Sequence, residues 1–134
     1  MRQSYCGASM KKAVSDSYLN HWFRKAVLAA YHYRCGLCWQ QNQPLEAHHI
    51  NKRRKVVTRW DWRDGIALCP QCHKLAHTKK GELLIAERHP HYTWLVEMEQ
   101  VNYKDFRLAA GITDAEFRED MLRKLKEKVA EGDL

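Results

Sequence analysis

"LEAHHI", residues 45–50, is the stretch whose reading decides the fold. It sets two histidines side by side at the end of a short apolar run. A run of this length bounded by turn residues reads as a strand, and the "QQNQP" before it is a turn. Successive side chains of a strand point to opposite faces. His48 and His49 therefore cannot share one task. Either one is incidental or each does a different job, and what flanks them favours two jobs.

The flanks are cysteine pairs. Cys35-x2-Cys38 and Cys69-x2-Cys72 stand 30 residues apart. Two such knuckles can present four thiolates at about 2.3 Å to one tetrahedral zinc ion, a closed structural site. The bland alternative is four buried, reduced cysteines. A bound ion of this kind is worth ~10–16 kcal/mol of apparent folding energy, enough to offset a thin core. Cys6 has no partner by spacing and reads as a free thiol in the tail.

The second knuckle opens "PQCHKLAHTKK", a helix with Pro70 suited to its first turn. His73 and His77 are four apart and so lie on one helical face, half of a metal site. With all four thiolates on zinc, these imidazoles are free for a second cation. The competing reading gives His73 to the zinc in place of a cysteine and leaves His77 on the surface. "IALC" (66–69) reads as a second short strand.

Composition bounds the rest. The chain has 134 residues and a net charge of +7. That length suits one domain with a helical appendage. Residues 1–67 hold 12 Lys/Arg against 4 Asp/Glu, whereas residues 68–134 hold 11 against 12. A basic half suits a polyanion, most simply nucleic acid. No apolar run approaches the ~18 residues of a membrane span, and the start lacks the apolar stretch of a secretory signal. A soluble, intracellular protein is expected, in a reducing compartment where cysteines serve metals.

Residues 16–34 place Leu19, Trp22, Phe23, Ala26, Val27 and Ala30 on one face at helical spacing, with Asp16 or Ser17 as cap. "NKRRKVVTRWDWRDG" (51–65) reads as a basic loop interleaved with aromatics. Gly81 is expected to end the metal-binding unit. "ELLIAERHPHY" suits either a strand or the lead into a helix. "TWLVEMEQVNYKDFRLAAG" reads as one helix ending near Gly111. "TDAE" (113–116) is a capping box opening a last helix, with Phe117, Met121, Leu122, Leu125 and Val129 on one stripe. That stripe packs on the domain or, alternatively, forms a homodimer contact.

The ensemble "CGLC…LEAHHI…RDGIALCPQCHKLAH" strongly resembles the HNH endonuclease family of the ββα-metal (His-Me finger) fold, in its zinc-containing phage and bacterial type. The resemblance spans roughly residues 30–80. It implies an α+β fold: a small, treble-clef-like ββα-metal core stapled by the four-cysteine zinc site, with helices on both flanks. The expected organisation is a basic tail (1–14), a nuclease domain with lead-in helix (15–80) and a mostly helical extension (81–134). It also implies a bacterial cytoplasm or a phage-encoded protein acting there.

Roles follow from the resemblance position by position. His48 would be a ligand of the catalytic cation, His49 the general base, His73 the second ligand and His77 the third. The middle Asn of the family name would stand nine residues before His73, where this chain has Asp64. That residue braces the loop between doublet and helix. Asp can accept such hydrogen bonds but, when ionised, donates none.

The chemistry suits this division. Phosphodiester hydrolysis needs water deprotonated on one side of phosphorus and a stabilised leaving oxygen on the other. One imidazole must meet the cation and its neighbour must avoid it. Three imidazoles suit zinc, nickel or manganese, and the family commonly works with magnesium. Lys52, Arg53, Arg54, Lys55, Arg59 and Arg63 are the expected grip on DNA phosphates. Trp60 and Trp62 stack on bases or pack the loop onto the core. His21, His32, His89 and His91 lack partner spacing and read as surface or core residues. Two alternatives stay open: a zinc-stapled DNA-binding module without catalysis, and a zinc-dependent protein-interaction domain gripping an acidic partner.

Overall fold

A computed structural model describes residues 13–132, so Cys6 and nearly all of the basic tail lie outside it. The first helix among the described residues, α1 (Asp16–Ala30), buries Leu19, Phe23, Ala26 and Val27 on the face that the sequence marks. Its cap is Ser15, not Asp16 or Ser17. The Ser15 backbone is extended and its hydroxyl accepts the Tyr18 N–H at 3.2 Å. Asp16 sits in the first turn instead, where its charge suits the helix dipole.

Two short strands follow, β1 (Glu46–His49) and β2 (Gly65–Leu68). They pair antiparallel in the register Glu46↔Leu68, Ala47↔Ala67, His48↔Ile66, His49↔Gly65. Helix α1 packs on the face that carries His49 and Gly65. A Cβ at Gly65 would come within 2.4 Å of Val27, so a side chain there would push the helix off the hairpin. The outer edge of β2 is capped by other segments. Gly36 donates its N–H to the Ala67 carbonyl at 2.6 Å, and His89 Nε2 bonds the Gly65 carbonyl at 3.1 Å.

The 51–65 segment is less loop-like than expected. It contains α2 (Val56–Arg59) and a 3-10 turn over Trp62–Asp64. Trp60 is 1% exposed and donates Nε1–H to Asn20 on α1 at 2.9 Å, so it packs the loop onto the core. Beyond β2, α3 (Pro70–Ala76) begins at Pro70 as expected, and α4 (Lys79–Arg88) follows at once. The ambiguous "ELLIAERHPHY" is thus mostly helix. Gly81 lies in the first turn of α4 rather than ending a unit; its N–H donates to the Thr78 cap.

The expected single helix over 93–111 is two: α5 (Tyr92–Met98) and α6 (Tyr103–Ala110). Asn102 interrupts them, because its side chain caps α6 by accepting the Asp105 N–H at 3.1 Å. The last helix, α7 (Asp114–Gly132), opens on the Thr113–Glu116 capping box, with reciprocal hydrogen bonds of 3.1 and 2.9 Å. Phe117, Met121, Leu125 and Val129 are buried and join the α1 side chains in one core. That stripe is therefore used within the fold. Arg118 locks the same contact, reaching the Val14 carbonyl at 2.9 Å and Asp16 at 2.7 Å. No described helix is long and apolar enough to cross a membrane.

Gly81 tests the α3–α4 packing. A Cβ there would stand 1.8 Å from the Leu75 carbonyl oxygen, a clash with backbone. Gly81→Ala is expected to lower unfolding free energy by about 1–3 kcal/mol, measured by chemical denaturation of the zinc-loaded chain.

Candidate metal centres and hydrolytic site

The sulfurs of Cys35, Cys38, Cys69 and Cys72 all lie within 4.8 Å of one another. Cys38 and Cys69 Sγ are 3.8 Å apart. A tetrahedron with metal–sulfur bonds of ~2.3 Å has edges of about 3.8 Å, so the spacing fits a zinc ion. The local sequence explains the convergence. The 35–38 knuckle is docked on β2 by Gly36, and the 69–72 knuckle is the β2–α3 junction itself. Burial pushes the Cys35 thiol up, but N–H groups of Cys38, Cys69 and Leu37 outweigh it and bring it down to about 7. Burial and the neighbouring thiols drive Cys72 upward, a crowding of like groups that a divalent cation relieves.

A second cluster stands beside the first. His48 of β1 meets His73 and His77 of α3 and its C-terminal cap, with ring centroids 5.3 and 5.2 Å from the His48 ring. Their ligand atoms also fall within 4.8 Å of one another. His73 is therefore free of the cysteine set, against the reading that assigned it to the zinc. Three imidazoles on one side of a point leave the other side open to water and an anionic oxygen. Burial and the neighbouring imidazoles push His48 down to about 4, so it stays neutral, the state that donates a lone pair.

His49 turns the other way. Its ring stacks on Phe23 of α1, centroids 4.3 Å apart and planes 8° from parallel. Its Nε2 lies 2.9 Å from the Arg59 carbonyl oxygen. A carbonyl only accepts, so Nε2 holds the proton and Nδ1 holds the lone pair. Burial lowers the pKa of His49, which keeps Nδ1 unprotonated near neutral pH.

Asp64 is fully buried. Its backbone carbonyl accepts the Ile50 N–H at 2.7 Å, and its Oδ1 accepts the Asn51 N–H at 2.7 Å. Both bonds need only an acceptor, so Asp makes them without the donor an Asn would add. Oδ2 is buried without a hydrogen-bond partner. Burial, and then the Asp61 and Glu99 carboxylates against the opposing Asn51 bond, raise the Asp64 pKa to about 8. Asn51 in turn donates from Nδ2 to the Leu95 carbonyl at 3.1 Å, tying the brace to α5.

A cavity of about 430 Å³ opens on both histidines of the doublet. Lys52 and His77 line it, together with Glu82 and Tyr92. The last two are absent from the sequence-derived site. Glu82 arrives through the α3–α4 turn and Tyr92 through the turn from α4 into α5, which no residue spacing encodes. Lys52, Arg53 and Arg54 are exposed around the doublet's end. Arg59 and Arg63 already have acidic neighbours: Arg59 lies 3.6 Å from Asp16, and Arg63 is bonded to Asp61 at 2.7 and 2.9 Å while covering the Trp94 ring.

Residues 35–79 match the family model described as HNH endonuclease. The matched stretch runs from Cys35 through both knuckles, the hairpin and all three clustered imidazoles. No curated protein and no solved structure matches the chain.

Two outcomes follow. Cys38→Ser should lose zinc, measured by elemental analysis, and with it the cooperative melt. For Asp64, the folded value of about 8 lies above the ordinary 3.8, so the fold favours the protonated acid. Its contribution to stability falls as pH rises from about 4 to about 8 and then levels. Asp64→Asn should remove that slope. Denaturant midpoints of the two proteins should nearly coincide below about pH 4 and separate progressively up to pH 8–9, the Asn form being the more stable.

Proposed function

We propose that the chain is a metal-dependent endonuclease that hydrolyses DNA phosphodiester bonds, with one catalytic cation and a histidine base. The observation that carries this reading is the division of the doublet: the His48 ring joins His73 and His77, while the His49 ring stands on Phe23 with its Nδ1 lone pair unspent. A bound divalent cation would polarise the phosphate and stabilise the leaving 3′-oxygen. His48, His73 and His77 would hold it. The donor set suits zinc, nickel or manganese, and magnesium if waters complete the shell.

The remaining work falls to this chain's own groups. His49 Nδ1 takes a proton from the attacking water, and the charge that develops on the ring is supported through Nε2–H by the Arg59 carbonyl. Stacking on Phe23 fixes the ring plane, so the lone pair keeps one direction. Asp64 positions the base indirectly by holding Ile50 and Asn51, the residues that follow it. Lys52 at the cavity, with Arg53, Arg54 and Lys55 beside it, neutralises backbone phosphates; Arg59 and Arg63 contribute less, given their acidic neighbours. The cysteine-bound zinc keeps the hairpin against α3 and takes no part in the chemistry. Cutting both strands takes two such centres, which a homodimer would supply through a surface other than the α7 stripe.

Supercoiled plasmid with Mg²⁺, Mn²⁺, Ni²⁺ or Zn²⁺ tests this. The native chain should nick it, and His49→Ala should slow nicking by at least about a hundredfold while keeping zinc and DNA retention. Equal cutting by both proteins would overturn the base assignment. Retention of DNA without cutting by either would make the chain a binding module, and indifference to DNA would leave the protein-interaction domain.

A further inference from the structure

A second cavity, of about 610 Å³, lies at the outer edge of β2, on the strand opposite the one that carries the doublet. Its floor is Gly65 and Ile66, its walls are aromatic, and its rim carries Arg88 and Lys128. No carboxylate lines it among the described residues. Trp39 and Trp62 are the largest walls. This volume falls inside the range of small-molecule sites, roughly 300–1,000 Å³.

Two of these walls stand on left-handed backbone, as Tyr33 and Asn42 outside the cavity also do. Trp39, the residue after the first cysteine knuckle, has φ +62°, and His32, also in the lining, has φ +54°. Left-handed backbone suits glycine and strains a side chain. Trp39 is nevertheless 58% exposed, so its indole does not repay that strain by burial in the core. A strained residue that holds a large aromatic ring at the mouth of a cationic cavity is a ready stacking platform.

Of the two rim cations, Arg88 is the less engaged. Arg88 donates to the Leu37 carbonyl at 3.3 Å, a partner that leaves its charge uncompensated. Lys128 lies over the Trp62 ring, 4.2 Å from the centroid, with Glu131 at 3.7 Å. Arg63, by contrast, is held by Asp61.

We propose that this cavity binds an unpaired nucleotide of a DNA strand, its base against Trp39 and Trp62 and its phosphate at Arg88 and Lys128. The inference rests on reading the chain as a DNA-handling protein, and it adds a preference for DNA with a locally single-stranded segment. A flipped or unpaired base has the exposed π-face that such walls stack, whereas a paired base inside a duplex does not.

The test uses the full chain loaded with one equivalent of zinc and no other divalent cation, and a denaturing gel checks that the oligomers stay uncut. Fluorescence anisotropy compares a labelled oligomer of about ten thymidines with a duplex of similar length. Two variants are compared with the native chain, Trp39→Gly and Lys128→Glu. Trp39→Gly should melt no lower than native, because glycine relieves the left-handed backbone, and should weaken oligomer binding about tenfold. Lys128→Glu should weaken it similarly. Duplex affinity should stay within about twofold in both. Oligomer binding unchanged in both variants, or oligomer and duplex affinity falling together, would overturn the proposal. If Trp39→Gly melts well below native, the indole is a core residue and the stacking role fails. Thymidine 5′-monophosphate separates the sources of the nucleotide: no competition at millimolar concentration supports a strand as the occupant, and full competition at micromolar concentration replaces the strand with a free nucleotide. If the native chain binds neither oligomer nor duplex, the DNA reading fails and this inference with it; duplex binding without oligomer preference sinks this inference alone.

Discussion

The antiparallel pairing of four residues with four others governs this molecule. Because β1 is extended at the doublet, His48 and His49 leave the backbone in opposite directions. One meets two imidazoles from the following helix, and the other meets an aromatic ring from the preceding one. A one-residue slip of register would exchange these surroundings and leave neither ring with its partners. So short a hairpin would be marginal alone. The thiol cluster at one end, Asp64 at the other and Gly36 and His89 along the outer edge of β2 hold its register.

The same economy appears in Asp64. A buried carboxyl is costly unless neutral or well paired. Here it accepts one backbone N–H at Oδ1 and is kept largely protonated by its surroundings, so it acts as a near-isostere of an amide. The family pattern asks for Asn at this point, and the requirement that the structure makes visible is only for an acceptor of the right length. The uncovered Oδ2 is what remains of the missing amide nitrogen.

Much of this is legible in the chain itself. The cysteine and histidine spacings report geometry directly, since two-residue knuckles and an i, i+4 pair leave little freedom. The strand at 46–49, the helix start at Pro70 and the Thr113–Glu116 box are local signals, and the structure has each in its place. What the sequence withholds depends on distant contacts or on single caps. Asn102 breaks a run that reads as continuous because one side chain competes with the helix for an N–H. Gly81 reads as a terminator, yet its smallness serves the close approach of α4 to Leu75. Phe23 reads as an ordinary core residue, and nothing in its spacing says that its ring would lie flat against His49. Glu82 and Tyr92 reach the doublet's cavity only once α3, α4 and α5 have folded back on one another.

Phe23 also bears on how self-sufficient the shared family segment is. The stretch from 35 to 79 contains both the thiol and the imidazole cluster, yet the surface that orients His49 comes from a helix upstream of it. That helix is in turn pinned by Arg118 from near the far end of the chain. An excised minimal motif would thus retain every clustered thiol and imidazole and still let the ring of the proposed base swivel. In this architecture, the gathered donors and the aim of the His49 ring are inherited from different parts of the polypeptide.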